Sequence, residues 1–434
     1  MAPIIFKDLL ISFTTEFDLL WNDKGSGALK SASFWRPNTS ADALNTFSSL
    51  GDVVFEGYRT INNRKVVAVV SEADKVNGTA LRAPTDFQLV WQNSGKRVRS
   101  EVSVWQPIAP EGYVTMGMVC YVGYDKPSVN IVRCIRADLV VDAYIGNSIW
   151  DDKGSGSRMD FSAWDVQSPE VEPGEAYIAP GTFFGNGSFA RPSFGARPYA
   201  LRMELALLES PLPAPADMQD SAEHPPHVCE LPWFTVKDSN LTPIEQLQST
   251  PTYRLERSDR YLSVGVGHNT TAEGKTFNWT ARRGENGDDS IDFTAITGID
   301  FSNEWSSIAL PLSFSANLDK LFTHTSQSAK GWGSSASLEV AAYVPANQTV
   351  AAHLIRSEYR LLRQDGSQLS ATVGYTNGDT VYFSDSTAVV PAENPLLPPP
   401  AEPIAADDEQ APPTADENTL EISPHDLVDD TLLP

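Results

Sequence analysis

The sequence predicts an all-β protein: an N-terminal three-repeat β-prism-like domain, an elongated antiparallel β domain after it, and a disordered acidic tail. Three observations carry this reading. Pairs of tryptophans recur three times at one spacing, a Pro-, Ala- and acid-rich stretch divides the 434 residues, and the end of the chain is acidic and proline-rich without a Lys or Arg. A chain of this length can bury two or three cores. Its 41% hydrophobic content marks a folded chain, and 31 Pro with 28 Gly favour short strands and turns over long helices.

The repeat comes first. Trp21 and Trp35 enclose NDKGSGALKSASF, Trp91 and Trp105 enclose QNSGKRVRSEVSV, and Trp150 and Trp164 enclose DDKGSGSRMDFSA. Gly25, Gly95 and Gly154 stand at equivalent places, where a hairpin turn needs positive φ. Each copy then turns into a short apolar strand, at Leu50–Phe55, Met116–Tyr121 and Pro180–Phe184. It closes on another at Lys65–Val70, Ile131–Ile135 and Tyr199–Met203. About four antiparallel strands per copy form one sheet, and three sheets hide their apolar faces around a pseudo-threefold axis. This domain is expected over residues 1–210.

Leu20-Trp21-Asn22-Asp23-Lys24-Gly25-Ser26-Gly27-Ala28, then Phe34-Trp35-Arg36-Pro37 and Leu50-Gly51-Asp52-Val53-Val54, resemble the vacuolar protein sorting-associated protein 62 family. The Asp151-Asp152-Lys153-Gly154-Ser155-Gly156 loop resembles a later repeat of that family. In the second copy Lys96 and Arg97 replace the Ser-Gly of the loop, which removes it from the ligand-binding expectation. The resemblance spans about residues 15–210 and implies a role in sorting to the vacuole.

Residues 211–229 read as a Pro-rich linker. Residues 230–387 follow as an antiparallel β domain, with alternating segments at Tyr253–Val266, Lys275–Arg282, Ser290–Phe301, Ile308–Ser315, Ala336–Val344, Thr349–Leu362 and Gln368–Phe383. The Ser/Thr-rich middle and Val344-Pro345-Ala346-Asn347-Gln348-Thr349-Val350 resemble aerolysin-type β-pore-forming proteins. A membrane hairpin is expected between Glu304 and Ser335. Ile308, Leu310, Leu312 and Phe314 alternate there with small or polar residues, as a lipid-facing strand does, or as a strand with one face on a core does. Pro311 would interrupt its ladder. Residues 388–434 form the tail; from Pro391 onward it holds eleven acids and ten prolines.

Composition narrows the function. A net charge of −24 excludes a basic footprint for nucleic acid. The N-terminus lacks a secretory signal's apolar run, so the chain is expected to be made soluble in the cytoplasm, with later release or action at a membrane. Cys120, Cys134 and Cys229 show no metal spacing and read as buried thiols, although Cys120 and Cys134 could face each other on paired strands. No catalytic motif occurs, so no enzyme and no cofactor is expected. His224 and His227, separated by two prolines, make no metal face.

The loops are the candidate ligand site. Asp23, Gly25, Gly27 and Trp35 in the first copy, and Asp152, Gly154, Gly156 and Trp164 in the third, combine acceptors, open backbone and aromatic faces. A glycan or other polyol on a cell surface needs that combination. The aspartates could equally close Asx-turns, and the tryptophans could fill the prism core. Two functions follow: a lectin-like, pore-forming defence or toxin protein that oligomerises when active, or an intracellular sorting or scaffold protein.

Overall fold

The structure, a computed structural model, describes residues 3–40, 43–95, 98–172, 174–193, 195, 197–205, 226–285, 312–316 and 336–387. Each repeat contributes six strands. The first holds β1 (Ile4–Phe6), β2 (Leu9–Thr14), β3 (Phe17–Asn22), β4 (Ala32–Pro37), β5 (Val53–Glu56) and β6 (Val67–Glu72). The second holds β7 (Leu81–Arg82), β8 (Asp86–Gln92), β9 (Val102–Ile108), β10 (Tyr113–Val114), β11 (Val119–Val122) and β12 (Cys134–Arg136). The third holds β13 (Val140–Asp142), β14 (Tyr144–Asp151), β15 (Ser162–Gln167), β16 (Glu175–Ala179), β17 (Phe184–Asn186) and β18 (Tyr199–Glu204).

Each copy divides between two sheets where the sequence predicts one of four strands. The tryptophan hairpins form the three-stranded sheets β3-β4-β5, β8-β9-β11 and β14-β15-β17. The remaining strands form a base layer of β1-β2-β6, β7-β12-β10 and β13-β18-β16. In the first copy the Thr14 hydroxyl takes the Glu16 N–H at 3.1 Å, and this tight turn breaks one long strand into β2 and β3. Chain that would have lengthened one sheet passes instead to the other layer.

The same irregularity marks every hairpin. Pairing slips between Leu19 and Trp21, between Leu89 and Trp91, and between Ser148 and Trp150. A bulge rotates the strand locally. Trp21, Trp91 and Trp150 thereby all point to one centre, where their rings lie 6.1, 6.2 and 5.9 Å apart in edge contacts. Phe34, Phe161 and Phe183 pack around them. Three edge-to-face pairs add about 0.5–1.5 kcal/mol each beyond area burial.

The second half opens with β19 (His227–Pro232) and helix α1 (Pro243–Ser249). It continues with β20 (Thr252–His268), β21 (Lys275–Glu285), β22 (Ser313–Ala316), β23 (Ala336–Val344), β24 (Gln348–Leu362) and β25 (Val373–Thr387). All but β22 join one sheet in the order β19-β20-β24-β25-β21-β23. The 17 residues of β20 span about 56 Å at ~3.3 Å per residue, which makes this module elongated. One core holds base-layer residues such as Phe13, Ile178 and Leu201 together with Trp233, Phe234, Tyr253 and Leu361 of the second half. Phe13 meets Trp233 and Phe234 edge-on at 5.5 and 5.8 Å.

The short strand β22 stands apart from the long sheet. It adds to the third copy's base sheet, pairing Ile178 with Phe314 and Ala179 with Ser313. Leu312 and Phe314 of the expected membrane hairpin are therefore core residues here, and Phe314 packs on Phe234 at 5.3 Å. Ile308 and Leu310, the segment Ser290–Phe301 and the acidic tail lie outside the described residues. The expected strand from Gln368 starts at Val373, after a turn through Gly366. All three cysteines are free and buried, with Cys120 and Cys134 in different sheets.

Candidate functional site

The hairpin loops meet over the tryptophan triangle. Each indole donates to the next copy: Trp21 Nε1 to the Ser100 carbonyl at 3.2 Å, Trp91 to Met159 at 3.1 Å, and Trp150 back to Lys30 at 2.9 Å. The three acceptors stand nine residues after their own copy's first tryptophan. The bonds therefore form a closed cycle.

The aspartates brace these loops. Asp23 Oδ1 takes the Ala32 N–H at 2.9 Å, and Asp152 Oδ1 takes the Phe161 N–H at 2.8 Å. Asn93 Oδ1 does the same for Val102 at 2.8 Å. Asp152 Oδ2 also accepts Trp91 Nε1 and the Ser155 hydroxyl, both at 3.2 Å. Burial pushes its carboxyl above the usual carboxylate range. Asp23 and Asp152 are each 3% exposed. Both aspartates thus brace backbone nine residues on, while the Asx-turns themselves are closed by their neighbours, Asn22 Oδ1 on the Lys24 N–H and Asp151 Oδ1 on the Lys153 N–H, both at 3.2 Å.

Trp35, Trp105 and Trp164 serve the outer cores. Each donates Nε1 to a serine two residues earlier, Ser33, Ser103 and Ser162, at 2.8 Å in all three cases. Trp35 packs with Phe17, Val53, Ile61 and Val67. The Arg191 guanidinium lies over the Trp164 ring, 5.9 Å from its centre. Neither tryptophan reaches the central triangle, which the first tryptophan of each pair fills instead.

The glycines let the loops touch. A Cβ on Gly154 would come within 3.0 Å of the Gly27 carbonyl, and one on Gly95 equally close to that of Gly156. Backbone bonds reinforce two of the joints, from Leu29 N–H to the Lys153 carbonyl and from Arg158 N–H to that of Ser94. Among the described residues no such bond runs from Arg99 to Lys24 at the joint of the first and second loops. There the Arg99 guanidinium lies against Gly25 instead, within 2.5 Å of where a Cβ would be.

That joint is open. A cleft of about 370 Å³ lies between the first and second loops, bordered by Trp21, Asn22, Lys24, Ser26, Arg99 and Ser100. Over the triangle itself, at the axis, a recess of only about 30 Å³ remains, room for a water. The second loop, set aside on its sequence, is one wall of the larger opening. The signal for it was Arg99, a long cationic side chain where the first copy has Leu29.

Three hairpins with one bulge position, one brace and one cyclic bonding scheme define the repeat unit. Residues 2–197 match the vacuolar protein sorting-associated protein 62 family. The match takes in all three hairpins, and so every loop of the cleft belongs to the part resembling that family. Among curated proteins no match is found. The crystal structure of GNIP1Aa from Chromobacterium piscinae is similar at 25% identity and a TM-score of 0.37, over 44% of this chain. The match spans only 35% of GNIP1Aa. The crystal structure of Cry35Ab1 is similar at 11% identity and a TM-score of 0.32, over 88% of this chain and 90% of that one. Among the described residues no cluster of His, Cys, Asp or Glu could hold a metal ion, and no helix is long and apolar enough to cross a membrane.

Proposed function

We propose that this chain is a non-enzymatic, lectin-like recognition protein that binds a polyhydroxylated ligand in the cleft between the first and second hairpin loops. The cleft carries the reading. Its volume falls in the range of small-ligand sites, and it pairs apolar surface from Leu19 and Trp21 with hydrogen-bonding groups from Asn22, Ser26, Asn93 and Ser100. Sugar rings ask for both. Binding of the full chain to a panel of immobilised oligosaccharides tests it. Ser26→Trp, which fills the cleft, should abolish retention while the melting temperature holds. Retention that survives the plug would move the ligand elsewhere.

A membrane-acting, pore-forming role for the second half is supported by one observation. Strand β22 is four residues long and, with side-chain bonds to Ser168 and Pro169, adds to a sheet that holds no other described strand of its half. A strand so placed can be withdrawn, and a chain that crosses lipid by strands must close a barrel from several copies. The family match favours the alternative, a sorting or scaffold protein that binds membranes or partners without pores. Dye leakage from vesicles separates the two.

A further inference from the structure

We infer that the ligand of this cleft is an acidic polysaccharide, one carrying carboxylate or sulfate groups; the inference rests on the recognition reading above. The three hairpin loops run against the charge of the molecule. Within a chain of net charge −24 they carry Lys24, Lys30, Lys96, Arg97, Arg99, Lys153 and Arg158 against five acids. Two of those acids, Asp23 and Asp152, are the buried braces.

At the cleft the imbalance is sharper. Lys24 and Arg99 border it and are exposed, and among the described residues neither has a carboxylate within ion-pairing distance. The one acid on the wall is Asp23. Its Oδ1 holds the Ala32 N–H, and the group is 3% exposed. The wall therefore offers cations and hydroxyl-bonding groups together.

Arg99 is also placed for the task. Gly25, at φ 82°, lets its guanidinium lie flat along the loop backbone. A guanidinium held in one plane can grip a carboxylate or sulfate through two parallel N–H bonds. A bilayer surface would meet Lys24 and Arg99 but could not enter a cleft of about 370 Å³, and the overall charge repels anionic lipid. A single acidic sugar residue can enter.

The experiment uses the full chain at low and physiological salt on immobilised chondroitin sulfate, polygalacturonate and neutral dextran, with phosphatidylserine vesicles alongside. Chondroitin sulfate carries sulfate and carboxylate and polygalacturonate carboxylate alone, so equal binding to both would make carboxylate the anchoring group and binding to the first alone would require sulfate. We expect at least tenfold tighter binding to one acidic polymer than to dextran, weakened by salt. Lys24→Ala with Arg99→Ala should cost tenfold or more, and Arg99→Glu should do so alone. Lys153→Ala with Arg158→Ala, outside the cleft, should change binding less than twofold. Equal loss from both double variants would mean diffuse attraction and overturn the inference. Binding to vesicles alone would overturn it as well. Dextran bound as tightly, with the Lys24/Arg99 variant unaffected and the Ser26→Trp plug still effective, would overturn the acidic ligand and leave recognition standing. No retention on any polymer would remove both.

Discussion

Asn93 and Asp152 occupy equivalent places in their copies, and each accepts a backbone N–H nine residues on, both at 2.8 Å. The protein thus contains its own control for what the charge contributes. Asp152→Asn should retain the brace but turns an N–H2 toward the Trp91 and Ser155 donors, so it should cost less than Asp152→Ala, which also leaves the buried Phe161 N–H without an acceptor and should cost about 1–3 kcal/mol. Urea denaturation followed by tryptophan fluorescence measures both. Equal losses would mean that the carboxylate does more than close its loop.

The three central tryptophans should behave as a unit. Trp21→Ala, Trp91→Ala and Trp150→Ala each remove a fully packed ring, for about 3–5 kcal/mol apiece. Because the rings touch pairwise, any double variant should lose less than the two single losses combined. Strict additivity in denaturation midpoints would argue against a shared centre.

The strand β22 gives a direct handle on membrane action. Ile178 and Phe314 face each other across antiparallel strands, and cysteines at both positions should lock β22 in place when oxidised. If β22 must leave the base sheet to act, the oxidised protein will not leak dye from vesicles and reduction will restore leakage. Leakage by the locked form would exclude β22 from insertion.

Acid should loosen the long sheet at His353. Its imidazole is 6% exposed, its Nδ1 has no hydrogen-bond partner among the described residues, and Nε2 is 3.4 Å from the Ser384 hydroxyl. Burial lowers its pKa below the usual 6.5. The unfolded chain therefore binds the proton more readily, so this group's contribution is intact above about pH 6.5 and is lost as pH falls below it. His353→Phe should flatten the fall in stability between pH 7.5 and 5.5, read from melting temperatures. An unchanged slope would assign the acid sensitivity to other groups.

Much of the architecture was legible because the repeat is written in tryptophans. Their spacing located all three hairpins, and the alternation at Ala336–Val344 gave the bounds of β23 outright. What the pattern could not give was the partition into two layers, since that depends on turns of a few residues. Helix α1 was legible and passed over: Thr242-Pro243-Ile244-Glu245 is a capping box with proline at the first turn, and the structure forms both of its bonds. The roles of the loop residues were not legible. Aspartates and tryptophans in a loop look alike whether they brace or bind, because both roles use the same hydrogen-bonding atoms. Only their burial separates the two, and burial in this domain depends on the neighbouring copies, which lie about 60–70 residues away in sequence.

The cycle of indole bonds also sets how this domain can change over evolutionary time. An open solenoid tolerates gain or loss of one unit, because its ends are capped and each unit leans only on its neighbours. Here the third copy donates to the first, so no copy is terminal. Deleting one would strand a donor on one side and an acceptor on the other, and a fourth would not fit around three rings about 6 Å apart. The copy number is locked, and sequence drift is left to act on the loops. In the second loop Arg99 stands where the first copy has Leu29, at the one joint where the cleft opens between described loop residues.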